Sequence, residues 1–248
     1  MKISELLLQC GVKKNDTLLV CCSLTGEECD LGALLEDLNS FALEGNLVMP
    51  AGHHESCALP NGIFDVVNTP SGEGELSEMF RLLPGVVRSL HPAGSLAALG
   101  RGAAWLVADH EKCASEYSSS SPWWKLFQSG VKCVFINCGL ERAGLIAAVE
   151  EWAGTATLSK RFLRRRIALG NGRNKRVPIK VQTRNHRKNY PRLESTLRDA
   201  GILVRSPWDH CDILVMDGSA AAERILCQLH RKSAGNRAGS WLRNLKKL

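Results

Sequence analysis

Four short apolar runs constrain this chain most: TLLVCCSL from Thr17, LVMP from Leu47, VKCVFINC from Val131 and DILVMDG from Asp212. TLLVCCSL is apolar at nearly every position and does not alternate, which suits a strand buried on both faces. Between the first two runs lies LGALLEDLNSFA, whose apolar residues recur at helical spacing, with Asp30 placed to cap its first turn. Strand, helix and strand in that order predict a βαβ unit and a partly parallel sheet.

The remaining segments extend this pattern. Leu6 to Leu8 suggest a short opening helix, and 75–83, 102–110, 190–201 and SAAAERILCQLHRK read as helices. SLHPAGSLAALG reads as a loop entering a strand, SSSSPWWKLFQSG as a loop into a short helix, and ILVRSP as a short strand. Residues 52–74, rich in Gly, Pro, His, Asn and Ser, form one long loop of a length usually tied to function or disorder. GLERAGLIAAVEEW, directly after the VKCVFINC strand, reads as a helix whose end carries Glu150 and Glu151. Strand ends at helix starts are where open α/β sheets bind ligands.

Charge divides the chain unevenly. The net charge is +7, and 153–193 holds no Asp or Glu but carries Lys160, Arg161, Arg164, Arg165, Arg166, Arg173, Lys175, Arg176, Lys180, Arg184, Arg187, Lys188 and Arg192. Within it, two strand-like runs flank Gly170-Asn171-Gly172, the pattern of a hairpin. Such a band suits anionic partners or a solvated basic face. A nucleic-acid role is the weakest reading, because no recognition motif or aromatic interleaving accompanies the band. The expected organisation is one domain over residues 1–232, with the basic hairpin at about 160–190 and a basic tail at 233–248.

The ten cysteines form no CxxC pair, and most sit in apolar strand-like runs. They are expected to be buried thiols of a cytoplasmic protein, with no metal site. No run approaches the roughly 18 apolar residues of a membrane span, and the apolar run in MKISELLLQCGVKKND is too short for a signal peptide.

Ordered blocks then narrow the reading. Asp16 to Val20 with Ser23-Leu24, Glu44-Gly45 with Leu47 to Pro50, Phe64-Asp65 with Thr69-Pro70-Ser71, and Phe80-Arg81 with Pro84-Gly85-Val86 follow one another. Arg88-Ser89-Leu90-His91-Pro92 with Ser95, Ser121-Pro122 with Lys125-Leu126, and Gly218 to Ala220 complete the set. In this order the chain, from Ser4 to about Lys232, resembles the aminoglycoside 3-N-acetyltransferase family, antibiotic N-acetyltransferases distinct from the GNAT fold. The resemblance implies a three-layer α/β/α sandwich around a central mixed sheet, with the basic hairpin as an insertion. It also implies acetyl-CoA as donor and the amine of an amino sugar, a small-molecule acceptor, as partner.

By the same resemblance, Ser23, Leu24, Thr69, Ser71, Arg88 and Ser95 are expected at the cofactor, and Asp65 near the acceptor amine. In the family motif "T..HLAE", a helix carries a His base with a Glu three residues later. The matching positions here are Gly144, Ala147 and Glu150, so the Glu is present and the His is not. Shifting the register by one makes Glu151 the match and Ala148 the missing His. The motif "VHSSL" is likewise Val20-Cys21-Cys22-Ser23-Leu24.

Candidate catalytic groups are therefore Glu150, Asp65 and His91, with His53 and His54 in the long loop. The basic segment 182–189 would repel a polycationic aminoglycoside, so a neutral or acidic amino sugar is the expected acceptor. The rival reading is an inactive homologue that binds CoA or an acidic partner. The oligomeric state is left open.

Overall fold

The computed structural model describes residues 1–53, 62–170, 172–183 and 189–233. His54, Asn171, the segment 184–188 and the tail beyond residue 233 lie outside the described residues. The strands are β1 (Thr17–Cys22), β2 (Asn46–Pro50), β3 (Ile63–Asp65), β4 (Val87–Arg88), β5 (Leu96–Gly100), β6 (Lys132–Ile136), β7 (Leu163–Ala168), β8 (Asn174–Ile179), β9 (Leu203–Trp208) and β10 (Cys211–Asp217). The helices are α1 (Ile3–Gln9), α2 (Leu31–Phe41), α3 (Glu75–Arg81), α4 (Ala103–Val107), α5 (Pro122–Gln128), α6 (Gly144–Trp152), α7 (Tyr190–Asp199) and α8 (Gly218–Ser233).

The expected βαβ unit is present: β1 and β2 pair in parallel, Thr17 opposite Asn46, with α2 between them in sequence. Asp30 caps α2 by accepting the Ala33 N–H at 3.0 Å. β1 also pairs in parallel with β6, which places all six of its residues in the sheet interior. Antiparallel strands flank this centre, giving a seven-stranded mixed sheet in the order β4-β5-β2-β1-β6-β10-β9.

The two-residue period of the strands sorts their side chains onto two faces. Leu18, Val20, Cys22, Leu47, Met49, Val134 and Ile136 pack with α1, α2 and α3. Leu19, Cys21, Val48, Cys133, Phe135, Leu214 and Met216 pack on the other face with α4, α5, α6 and α8. The result is the expected three-layer α/β/α sandwich.

Two features differ from the sequence reading. The helix of GLERAGLIAAVEEW begins only at Gly144, because Leu140–Arg142 forms a tighter 3₁₀ turn first. The basic hairpin is also not alone. Ile63 to Asp65, read as part of a loop, pairs in parallel with β7 and completes a three-stranded sheet β3-β7-β8. Three residues are too few to show a period, and only the pairing with β7 defines them as a strand. Phe64, Ile167, Val177 and Ile179 form the inner face of this small sheet with Ala93.

On the outer face, Arg166 sits between Ile63 on one side and Arg176 on the other. Arg164 and Arg176 are exposed as well. Like charges directly opposite one another weaken a cross-strand pair by a few tenths of a kcal/mol. Replacing Arg176 with Thr is therefore expected to raise the urea midpoint at low salt. The gain should shrink at high salt, where the repulsion is already screened.

Candidate active site

The parallel strands β1, β2 and β6 end together, and a narrow cleft opens there. Cys21, Cys22, Pro50, Glu73, Ser77 and Arg142 line it. Arg142 forms an ion pair with Glu73 at 3.6 Å, from the 3₁₀ turn that precedes α6. Cys21 donates its thiol to the Arg142 carbonyl, and Cys138 donates to the Cys21 carbonyl. Burial pushes the Cys22 thiol up to about 12 and the Cys138 thiol up to about 11, and Cys21 rises well above its ordinary value. These thiols are neutral at physiological pH, which argues against a cysteine nucleophile in the cleft.

Helix α6 follows directly on the turn that carries Arg142. Gly144 permits a close approach: a Cβ there would run into the Trp123 indole of α5. A larger residue at this position, such as the Thr of the resembling motif, would need Trp123 to move. Ala148 is fully buried in the core, whereas Ala147 is half-buried. The Ala147 carbonyl accepts from Gln182 Nε2 at 3.2 Å. Position 148 faces the core and position 147 does not, which favours the register that pairs Ala147 with Glu150.

The two carboxylates at the helix end diverge. The charge of Glu150 acts on Tyr190 of α7, whose pKa rises through burial first and then through Glu150 and Glu141. Glu151 turns instead toward the loop 115–117, where the Ser115 hydroxyl donates to its Oε1. Burial raises the Glu151 pKa above the ordinary carboxylate range, and contacts from Ser115 and Gln182 partly oppose this. Beside them, Tyr117 has its pKa raised well above the ordinary value, by burial first and then by Glu116, Glu73 and Glu151. The Tyr117 carbonyl accepts from Trp152 Nε1 at 2.6 Å, which ties this loop to the end of α6.

The other expected site residues fall into three groups. Thr69, Arg88 and Ser95 meet at one knot. Arg88 donates to the Thr69 carbonyl at 2.5 Å, to Ser95 Oγ at 3.1 Å and to the Val66 and Ala51 carbonyls, and it lies over the Phe64 ring. Ser23 and Leu24 follow β1: the Ser23 N–H donates to the Ile136 carbonyl, and Leu24 is buried. Ser71 stands near the cleft, its Oγ accepting the Glu73 N–H at 3.2 Å and its N–H donating to Glu78.

Asp65 and His91 are occupied by local structure. The Asp65 carboxylate accepts the Val67 and Asn68 N–H groups and the Asn68 side-chain amide, and the Asn68 bonds above all lower its pKa. This makes it a turn-former of low basicity. His91 is 0% exposed and accepts the Ala93 and Gly94 N–H groups at Nδ1. Its ring stacks on His110 at 4.5 Å, and His110 bonds Ser89 Oγ and the Glu116 carbonyl. His53 is half-buried beside Gly72.

Sequence reasoning passed over Glu73, Arg142, Ser115, Glu116, Tyr117 and Gln182. All but Arg142 sit in irregular segments with no period, and the one available signal was the paired Glu150-Glu151 at the helix end.

The stacked histidines generate a stability prediction. Burial lowers the His91 pKa from 6.5 to about 4, and burial followed by His91 lowers that of His110. A depressed pKa contributes stability above the unfolded value and loses it as pH falls toward the folded one. The urea midpoint is expected to drop between pH 6.5 and about 4. The drop should be smaller in His91→Asn, whose amide oxygen can still accept the two N–H groups but does not titrate.

The comparisons with known proteins agree with this architecture. The family model described as aminoglycoside 3-N-acetyltransferase matches residues 26–226. Aminoglycoside N(3)-acetyltransferase VII of Streptomyces paromomycinus is 37% identical over 90 residues, which is 36% of this chain and 30% of that protein's length. The apoenzyme structure of the aminoglycoside acetyltransferase AAC(3)-IVa superposes with a TM-score of 0.76 at 23% identity, over 92% of this chain and 87% of that one. The binary structure of AAC-IIIb with CoASH gives 0.74 at 18% identity, over 93% and 95%. At these identities the structures establish a shared fold, and the family match, which covers most of the chain, establishes the kinship. The chain belongs to the aminoglycoside 3-N-acetyltransferase family.

Proposed function

We propose that this protein transfers an acetyl group from acetyl-CoA to an amine of a cationic amino sugar. The observation that carries the reading is the carboxylate of Glu73 in the cleft at the strand ends, which acts with Glu116 and Glu151 on the buried Tyr117. Family membership supplies the reaction class, and the carboxylate of Glu73 in the cleft suits a cationic amino sugar by charge complementarity. The acceptor differs here from the neutral or acidic sugar expected from the basic segment. The exposed cations Arg164, Arg166 and Arg176 lie on the outer face of the small sheet, and 184–188 lies outside the described residues.

The donor set fits acetyl-CoA in part. Arg142, with its side chain 42% exposed at the cleft, and the hydroxyls of Ser23, Ser71 and Ser77 suit a diphosphate and a thioester carbonyl. Arg88 fits less well, because the protein's own acceptors already engage its guanidinium. Acetyl-CoA, when bound, supplies an activated acyl carbon with a thiolate leaving group. The chain must then orient the amine, remove its proton and hold the acceptor's charges. Glu73 would anchor the cationic sugar, and a carboxylate at the end of α6 would take the proton.

The alternative is a homologue that binds CoA without turnover, and the absence of a histidine at position 147 motivates it. Thiol release from acetyl-CoA, followed with a panel of aminoglycosides and simpler amino sugars, separates the two. Release that saturates with a polycationic amino sugar is expected. CoA binding in calorimetry with no thiol release from any amine would establish the binding protein instead. A preference for acidic sugars would overturn the proposed acceptor class.

A further inference from the structure

We infer that Glu151 takes over the proton-accepting role of the imidazole that is absent at Ala147. This rests on the acetyltransferase reading above and deepens it. Residues four apart share a helix face, and helical side chains lean toward the N-terminus. The side chain of Glu151 is therefore directed over Ala147, one turn earlier, into the space that a histidine there would fill.

The surrounding contacts agree. Gln182 bridges the two positions, bonding the Ala147 carbonyl and lying close enough to Glu151 to favour its charged form. Ser115 holds Oε1. Oε2 is buried, and no donor is aligned on it among the described residues. A buried carboxylate oxygen without a donor is costly, and a proton taken up on Oε2 relieves that cost. Glu150, by contrast, acts on Tyr190. The groups around Glu151 are Ser115, Gln182 and Tyr117, and burial rather than a neighbouring cation governs its ionisation.

The step balances without any further reagent. As the nitrogen of the unprotonated amine bonds to the acyl carbon, one of its two protons passes to Glu151 Oε2. The carbon–sulfur bond then breaks, the electron pair leaves on sulfur, and the proton is returned to the thiolate or to solvent. The products are the N-acetyl sugar and free CoA. A base must be ionised to act, so the rate rises with pH through the Glu151 pKa, and the acid limb lies above the ordinary glutamate range.

The test compares the wild-type protein with Glu151→Gln, and with Glu151→Gln carrying Ala147→His. Thiol release in Glu151→Gln is expected to fall roughly 10²- to 10⁴-fold in kcat, with the KM for acetyl-CoA little changed and the acid limb lost. Ala147→His in that background is expected to restore at least tenfold, with a new acid limb near the ordinary histidine value of about 6.5. A second readout needs no substrate. A raised carboxyl pKa contributes stability below the unfolded value and loses it as pH rises through the folded one. Glu151→Gln is therefore expected to raise the melting temperature more at about pH 8 than at about pH 5.

If Glu151→Gln does not fold, Glu151→Asp replaces it, with a lowered kcat and a retained acid limb expected. An active wild type with an unchanged kcat and acid limb in the variant overturns this inference and leaves the acetyltransferase reading standing. A wild type that releases no thiol with any amine overturns both.

Discussion

The guanidinium of Arg88 holds the two sheets together. It sits on β4, at the edge of the large sheet, and reaches the Ala51 carbonyl just past β2, the Val66 and Thr69 carbonyls just past β3, and Ser95 Oγ ahead of β5. Its plane covers Phe64 in the core of the small sheet. Burial, then Arg81, lowers its pKa to about 10, so it remains charged at neutral pH. A buried charge is tolerated where hydrogen bonds replace its hydration, and the planar fork of Arg suits several acceptors at once.

From this knot the geometry of the site follows in sequence. Arg88 fixes β3, β3 pairs with β7, and β7 pairs with β8. Directly after β8, the Lys180 N–H bonds the Ala114 carbonyl at 2.7 Å, and two residues later Gln182 bonds α6. The small sheet thus carries Gln182 to the face of α6, next to the loop that holds Ser115. Arg88 thus lies at the root of the chain of contacts that ends at Gln182 and Ser115 beside Glu151.

The cations do not share one face. Arg164, Arg166 and Arg176 stay on the outer face of the small sheet, whereas Arg165 is buried on its inner face and Arg142 stands beside Glu73 in the cleft. The chain-wide excess of positive charge therefore says little about the cleft. A charge acts over about 8 Å at physiological salt, so the sign that a substrate meets depends on which residues the fold brings near it.

The sequence by itself determined the sandwich and its family, and it marked the helix that matches the family's motif. Uninterrupted apolar runs, an Asp at a helix start and motif blocks in order are local signals that survive without a structure. Even the ambiguity at the end of α6 was legible, since Glu150 and Glu151 both stood out. Tertiary structure alone decided that Ile63–Asp65 is a strand, that His91 is sealed against His110, and that Arg88 is consumed within the fold. It also decided which glutamate turns toward Ser115 and Gln182, residues 36 and 31 positions away in the chain. The reason is common to all four. Burial and polar partnership depend on groups distant in sequence, and no local period encodes which of them will meet.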